Sequence, residues 1–167
     1  LVDRINGNGE DVVVVHGAGH VEVEVDGEII NIVTLHTYPF KYSYFAEDRE
    51  KSAEEHGGDY FRATEMKYIC EQSILKYDPE GKENWILTGD FNVLPADAVL
   101  DDLDQIMSSA RATAEVTDSI PSFNAFGKPL KHAAIGDQFV DLATTAGLTI
   151  DYIYYSGFSK CPSFHTV

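Results

Sequence analysis

Three places in this chain set polar side chains where apolar runs end. His36 closes the run Ile29-Ile30-Asn31-Ile32-Val33-Thr34-Leu35. Asp90 and Asn92 leave Trp85-Ile86-Leu87-Thr88-Gly89, with Phe91 between them. Asp151 sits in Ile150-Asp151-Tyr152-Ile153, among apolar and aromatic neighbours. Ligands of open sheets collect where strands end. If these three strands are neighbours, an imidazole, two carboxylates and a carboxamide converge on one point. Side chains of an extended segment alternate, which puts Asp90 and Asn92 on one side and turns Phe91 into the core. Each position also has a plain structural reading: a His satisfied at a strand end, a Gly-Asp turn closed on its own backbone, an Asp paired with a nearby donor. Their joint occurrence, each in its own context, is what makes them a candidate site.

The elements that must position these groups are legible as patterns. Residues 11–15, Asp-Val-Val-Val-Val, read as a strand. From His20 to Val25 the sequence alternates, with Val21, Val23 and Val25 on one face and Glu22 and Glu24 on the other. Asp26-Gly27 is a hairpin turn signal. Glu28 to His36 reads as the next strand, and its apolar character predicts burial on both faces towards its far end. Residues 38–61 are irregular, and Arg62 to Tyr77 has helical spacing at Met66, Ile69, Cys70, Ile74 and Tyr77. Residues 85–88 form a short central strand. A second helix fits Ala96 to Met107, its acidic run Asp97 to Asp104 a solvated face. Gly127-Lys128-Pro129 is loop, Thr149 to Tyr155 is the last clear strand, and Cys161 to Val167 begins another. Hairpins followed by mixed helices and strands mean an α+β fold or a layered α/β sandwich.

The chain has 167 residues, enough for one domain with a real core. It carries 28 acidic and 12 basic residues, a net charge of −16, which repels polyanions at long range unless metal ions or a local basic patch offset it. No basic stripe is present; Lys128 and Lys131 are a pair at most. No apolar run approaches the ~18 residues of a membrane span. Cys70 and Cys161 are too few for a disulfide framework and read as small hydrophobes. Gly17-Ala18-Gly19 fails as a dinucleotide fingerprint, because Glu22 stands where the third glycine belongs and the next stretch alternates like a strand.

Asn31-Ile32-Val33-Thr34-Leu35-His36, Thr88-Gly89-Asp90-Phe91-Asn92 and Thr149-Ile150-Asp151-Tyr152-Ile153 resemble, in that order, motifs of the endonuclease/exonuclease/phosphatase superfamily, the DNase I-like metal-dependent phosphoesterases. Ser122-Phe123-Asn124-Ala125-Phe126 is similar to the Thr-Phe-Asn/His loop that often lies between the second and third of them. The resemblance runs from about residue 11 to the C-terminus. It implies a four-layer α/β/β/α sandwich with mixed sheets. It also implies roles. Asp90 orients or deprotonates the attacking water and binds the metal, Mg2+ or Mn2+. Asn92 holds a phosphate oxygen or that water, and His36 donates to a phosphate oxygen. Asp151 pairs with a histidine further along, and Asn124 contacts substrate. Phosphate ester hydrolysis asks for such a set, because charge builds on equatorial oxygens while an oxygen nucleophile is aimed in line.

The sequence departs from the family pattern at both ends. The Asn and the metal-binding Glu of the first strands have no counterpart, and neither has the terminal Ser-Asp-His; His165 lacks the preceding Ser-Asp and is not assigned that role. Residues 1–167 therefore read as a partial domain, and Leu1 in place of Met as the start of a processed or trimmed chain. The expectation is that the 167 residues alone are inactive or nearly so. The aromatic stretch Tyr38-Pro39-Phe40-Lys41-Tyr42-Ser43-Tyr44-Phe45 is a candidate substrate wall, with Tyr38 stacking and Lys41 meeting phosphate. A small phosphorylated sugar, nucleotide or lipid headgroup suits the charge better than nucleic acid. Besides a metal-dependent phosphoesterase, a catalytically inactive binding module and a nuclease remain open. Secreted or periplasmic residence is common among family members of this general look.

Overall fold

The computed structural model describes residues 17–37, 60–95, 97–126 and 142–167. The expected strand at residues 11–15, the aromatic wall and the loop at Gly127 lie outside the described residues.

Two strands, β1 (Gly17–Val25) and β2 (Glu28–His36), form an antiparallel hairpin in which Val25 faces Glu28. The turn between them is Asp26-Gly27, with φ of 54° and 85°. Positive φ at both central residues is what a two-residue hairpin needs to match strand twist, and Asp-Gly supplies it. After β2 the chain crosses over through helix α1 (Tyr60–Ile69), a π turn (Cys70–Ile74) and the short α2 (Leu75–Tyr77). It returns as β3 (Asn84–Asp90), parallel to β2. A 3-10 turn (Ala98–Leu100), α3 (Asp101–Asp104), β4 (Ser108–Ser109), α4 (Ala110–Thr113) and β5 (Val116–Thr117) follow, then β6 (Asp151–Ser156) and β7 (Ser163–Phe164). The main sheet is five-stranded and mixed, in the order β1-β2-β3-β6-β4; β5 and β7 make a small parallel pair. The fold is mixed α+β. No helix among the described residues is long and apolar enough to cross a membrane.

One face of the sheet carries Val33, Leu35, Trp85, Leu87, Tyr152 and Tyr154. It packs on Met66, Ile69, Cys70 and Ile74 of the crossover and on Val99, Leu100, Leu103 and Met107. Trp85, Leu87 and Leu103 are completely buried, and each such side chain stabilises by about 1.5–3 kcal/mol. The helical spacing therefore meets the core at the expected positions except Tyr77. The π turn puts extra backbone into each revolution, and Tyr77 comes out 55% exposed with its ring 5.7 Å from that of His20. Cys70 lies in this core, and burial, with Asp102 and Glu71 adding to it, pushes its thiol up to about 12.

Two expectations change. The helix predicted from Ala96 to Met107 is a 3-10 turn and one short α turn. Ile106 and Met107 both donate to the Leu103 carbonyl, which closes the helix early. Ser108 and Ser109 can then extend as an edge strand against Tyr155 and Tyr154. Val99, Leu103 and Met107 still point inward. Strand β2 alternates instead of being buried twice: Asn31, Val33 and Leu35 are buried, Thr34 and His36 exposed. The crossover helices and residues 99–107 pack on the one face that carries Val33 and Leu35. The other face presents Val21, Val23, Val25 and Ile153, all exposed.

Candidate functional site

The expected convergence rests on strand order, and the three strands are neighbours. Parallel pairing sets His36 opposite Asp90, and antiparallel pairing sets Asp90 opposite Asp151. The three side chains form one cross-strand row, on the sheet face away from the helices, at the last rung of β2 and β3 and the first of β6. Asp151 opens β6 where the sequence pattern put it inside a longer strand. Because β6 is antiparallel, its beginning meets the ends of the other two.

Gly89 makes this rung possible. Its φ is 145°, and a Cβ there would lie 1.9 Å from the Leu35 carbonyl oxygen. Only glycine lets β3 lie this close to β2 while turning towards Asp90. The ladder continues one residue further, with the Thr37 amide donating to the Asp90 carbonyl at 3.0 Å.

Asp90 is held from both sides. Its Oδ1 accepts the Asn92 amide at 2.9 Å, and its Oδ2 lies 3.6 Å from His36 Nε2. That last distance exceeds hydrogen-bond length and becomes an ion pair when the imidazole is protonated. Burial pushes the Asp90 carboxyl above its ordinary value; the Asn92 amide opposes this, the Asp151 charge adds to it, and His36 pulls the other way.

Asn92 does not follow the alternation expected of an extended exit, and only its backbone amide meets Asp90. Phe91 does point into the core, completely buried against Tyr152 and Tyr154. Asn92, however, sits at φ 50°, in the left-handed region that Asn tolerates better than most residues. The chain turns back at this point, so that the Asn92 amide caps Asp90. The side chain is 5% exposed, and its Nδ2 donates to the Thr37 carbonyl at 2.9 Å. The exit of β3 is thus stitched to the exit of β2. Thr37 adds a second stitch from its hydroxyl to the Phe91 carbonyl. On the other side, the Tyr152 phenol lies within hydrogen-bond distance of two carbonyls, Val93 at 2.9 Å and Thr149 at 3.1 Å, and donates its one proton between them.

At the entry to β6, Phe91 donates to the Ile150 carbonyl at 2.8 Å. The Ile150 and Asp151 amides both donate to Ser122 Oγ, each at 3.0 Å. Phe123 and Leu148 exchange backbone hydrogen bonds of 2.9 and 2.7 Å. This loop therefore runs beside the start of β6, and Asn124, one residue on, is exposed. Tyr38 and Lys41 lie outside the described residues. His165 has its Nδ1 3.5 Å from Asp118 Oδ2, beside the small sheet. The Thr166 amide, 2.8 Å from the same oxygen, holds Asp118 below the ordinary carboxylate range.

Sequence reasoning overlooked Thr37 and assigned no role to Ser122. Thr37 had a signal in its place directly after His36. Ser122 acts on a backbone 28 and 29 residues away, which no local pattern announces.

A five-stranded mixed sheet with a core of helical segments packed on one face, and His36, Asp90 and Asp151 in a row on the other, makes this a mixed α+β domain. This chain belongs to the endonuclease/exonuclease/phosphatase family, whose sequence profile matches residues 3–165. Members of that family are metal-dependent hydrolases. Among curated proteins none matches the chain in sequence. An endonuclease/exonuclease/phosphatase from Bacteroides vulgatus is similar in structure: TM-score 0.62 and 20% identity, over 98% of this chain and 52% of that one. A β-hairpin deletion mutant of beta toxin from Staphylococcus aureus gives 0.60 and 15%, over 91% and 49%. A mannosyl-6-phosphatase from Bacteroides thetaiotaomicron gives 0.51 and 17%, over 84% and 42%. At such identities the likeness is one of fold, and this chain spans about half the length of the structures it matches.

Proposed function

We propose that the natural full-length protein is a metal-dependent phosphoesterase acting on a small phosphorylated substrate, a sugar, nucleotide or lipid phosphate, through His36, Asp90, Asn92 and Asp151. The observation that carries this is the register: His36, Asp90 and Asp151 share one rung of three adjacent strands.

The chemistry follows from the side chains. Asp90 has Oδ1 occupied by the Asn92 amide, which leaves Oδ2 to orient a water for attack on phosphorus and to take its proton. The P–O bond to the leaving group breaks in line, and the leaving oxygen departs with a proton from solvent. His36, beside Asp90, donates to a non-bridging phosphoryl oxygen as charge builds there. Asn92 anchors the β3 exit through one amide hydrogen on Thr37, and its other amide hydrogen donates to phosphate without adding repulsion. Asp151 keeps a second negative charge beside Asp90 and pairs with an imidazole of the full-length site.

The residues fit a hard divalent cation. Asp90 and Asp151 are facing oxygen donors. No group of three or more His, Cys, Asp or Glu side chains gathers as a metal cage among the described residues. One or two carboxylates with water and substrate oxygens is how magnesium is usually held. Asp90 would hold Mg2+ or Mn2+, and the ion would neutralise charge on the phosphoryl oxygens. The net charge of −16 supports a small substrate over a nucleic acid. The open apolar face of Val21, Val23, Val25 and Ile153 supports a second sheet packed there in the complete domain, the four-layer sandwich.

The test is hydrolysis by the natural full-length protein of p-nitrophenyl phosphate, bis(p-nitrophenyl) phosphate and double-stranded DNA, with Mg2+ or Mn2+. Turnover of the small esters that EDTA abolishes is the expected result. Faster cleavage of DNA would make it a nuclease, and no turnover of any of them would leave a binding module.

A further inference from the structure

Asp151 is the first residue of β6, and on the β3 side its place in the cross-strand row is backed by its pairing with Asp90 and by the Phe91 amide on the Ile150 carbonyl at 2.8 Å. On the other side no strand is paired with it among the described residues. Two consecutive amides, of Ile150 and Asp151, point away from β3 and share one acceptor, Ser122 Oγ, at 3.0 Å each. Successive N–H groups aimed at one point form a concavity that demands an oxygen, and a buried or half-buried N–H left without one is costly. The hydroxyl itself is fixed. Its neighbour Phe123 is locked to Leu148 by two backbone hydrogen bonds, and Ser122 Oγ lies 3.5 Å from the Leu148 carbonyl, at the limit of a hydrogen bond. The Asp151 side chain is exposed, so nothing in the core fixes it. Its distance from Asp90 is set by backbone alone.

We propose that Ser122 is a positioning residue for the reaction: its hydroxyl takes both amide protons at the start of β6 and thereby holds Asp151 on the rung of Asp90 and His36. This rests on the phosphoesterase reading of the site. It also gives the loop at Ser122 a task besides any contact of Asn124 with substrate. Small displacements of a catalytic group cost rate out of proportion to the energy of the bond that held it. The loss belongs in kcat, because Ser122 touches the Asp151 backbone and not the substrate.

The test uses the full-length protein with Mg2+ and bis(p-nitrophenyl) phosphate, comparing Ser122→Ala, Ser122→Thr and wild type. Ser122→Ala should lower kcat by about tenfold or more with KM within about twofold, and should speed hydrogen exchange at the Ile150 and Asp151 amides. Ser122→Thr, which keeps the acceptor, should restore both. If Ser122→Ala does not fold, Ser122→Cys serves in its place, because its sulfur is a weak acceptor of similar shape. Wild-type kcat in Ser122→Ala, or a threonine variant as slow as the alanine one, would overturn the positioning role while leaving the phosphoesterase reading intact. A wild-type protein without turnover would overturn both.

Discussion

Strand β3 is entered past Asp78 and left through Asp90, and the two carboxylates have opposite surroundings. Asp78 is 6% exposed and saturated with donors: the Lys82 amide on Oδ1 and the Glu83 amide on Oδ2, each at 2.8 Å, and Trp85 Nε1 at 3.3 Å. Desolvation would push its carboxyl up, but these donors outweigh it and leave it below the ordinary value. Asp90 has one amide, a second carboxylate across the rung, and an imidazole 3.6 Å away; burial and Asp151 leave it above. A carboxylate that finishes the local hydrogen bonding serves the fold. One that is crowded, half-satisfied and next to its like has capacity left for a ligand.

The largest effect that would sharpen this contrast is on rate. Asp90→Asn in the full-length protein should cut turnover by about 10²-fold or more, the loss expected for a group that handles a proton. Asp78→Asn should leave kcat per folded molecule unchanged. Equal losses from both variants would erase the distinction between the two ends.

Next in size is stability. Asp78→Ala strips three donors of their acceptor, and should cost about 2–4 kcal/mol, seen as a melting point lower by roughly 5–15 °C. The pH dependence has a definite sign. Because the folded Asp78 carboxyl lies below its unfolded value, its contribution is complete above the unfolded value of 3.8 and is lost as pH falls towards the folded one. Acid titration of the melting point should show this limb, and Asp78→Asn should flatten it.

Asp90 should show the reverse sign. Its folded carboxyl holds a proton more tightly than the unfolded chain does. The penalty for ionising it is therefore absent below the unfolded value of 3.8 and grows as pH rises through the folded one. At neutral pH without metal, Asp90→Asn should raise the melting point, because it removes that penalty. A fall of several degrees would mean that Asp90 is structural after all. The smallest effect belongs to the surface: Lys160→Ala, breaking an exposed 3.0 Å pair with Glu115, should change stability by less than about 0.5 kcal/mol.

The sequence reached some of this and missed the rest for physical reasons. The alternating valines and Asp26-Gly27 were enough for the hairpin, because both signals are local. Phe91 could be turned into the core from its place between two polar residues. The meeting of His36, Asp90 and Asp151 depends on strand order, which periodicity does not carry; the ordered motifs of a known family supplied that expectation. The geometry of Asn92 was out of reach. Its left-handed backbone is stabilised by Thr37, 55 residues earlier in the chain, and so is invisible to any window around Gly-Asp-Phe-Asn. The same holds for Ser122. The early end of α3 turns on one carbonyl, that of Leu103, taking two amides, where the apolar spacing still looked helical.

The most direct test of the site is a crystal structure of the full-length protein grown with Mn2+ and phosphate. Anomalous scattering should place the metal about 2.1 Å from an Asp90 carboxylate oxygen, with phosphate bound between it and His36 and with Asp151 on the same side. Manganese and phosphate bound elsewhere, with His36, Asp90 and Asp151 touching neither, would contradict it.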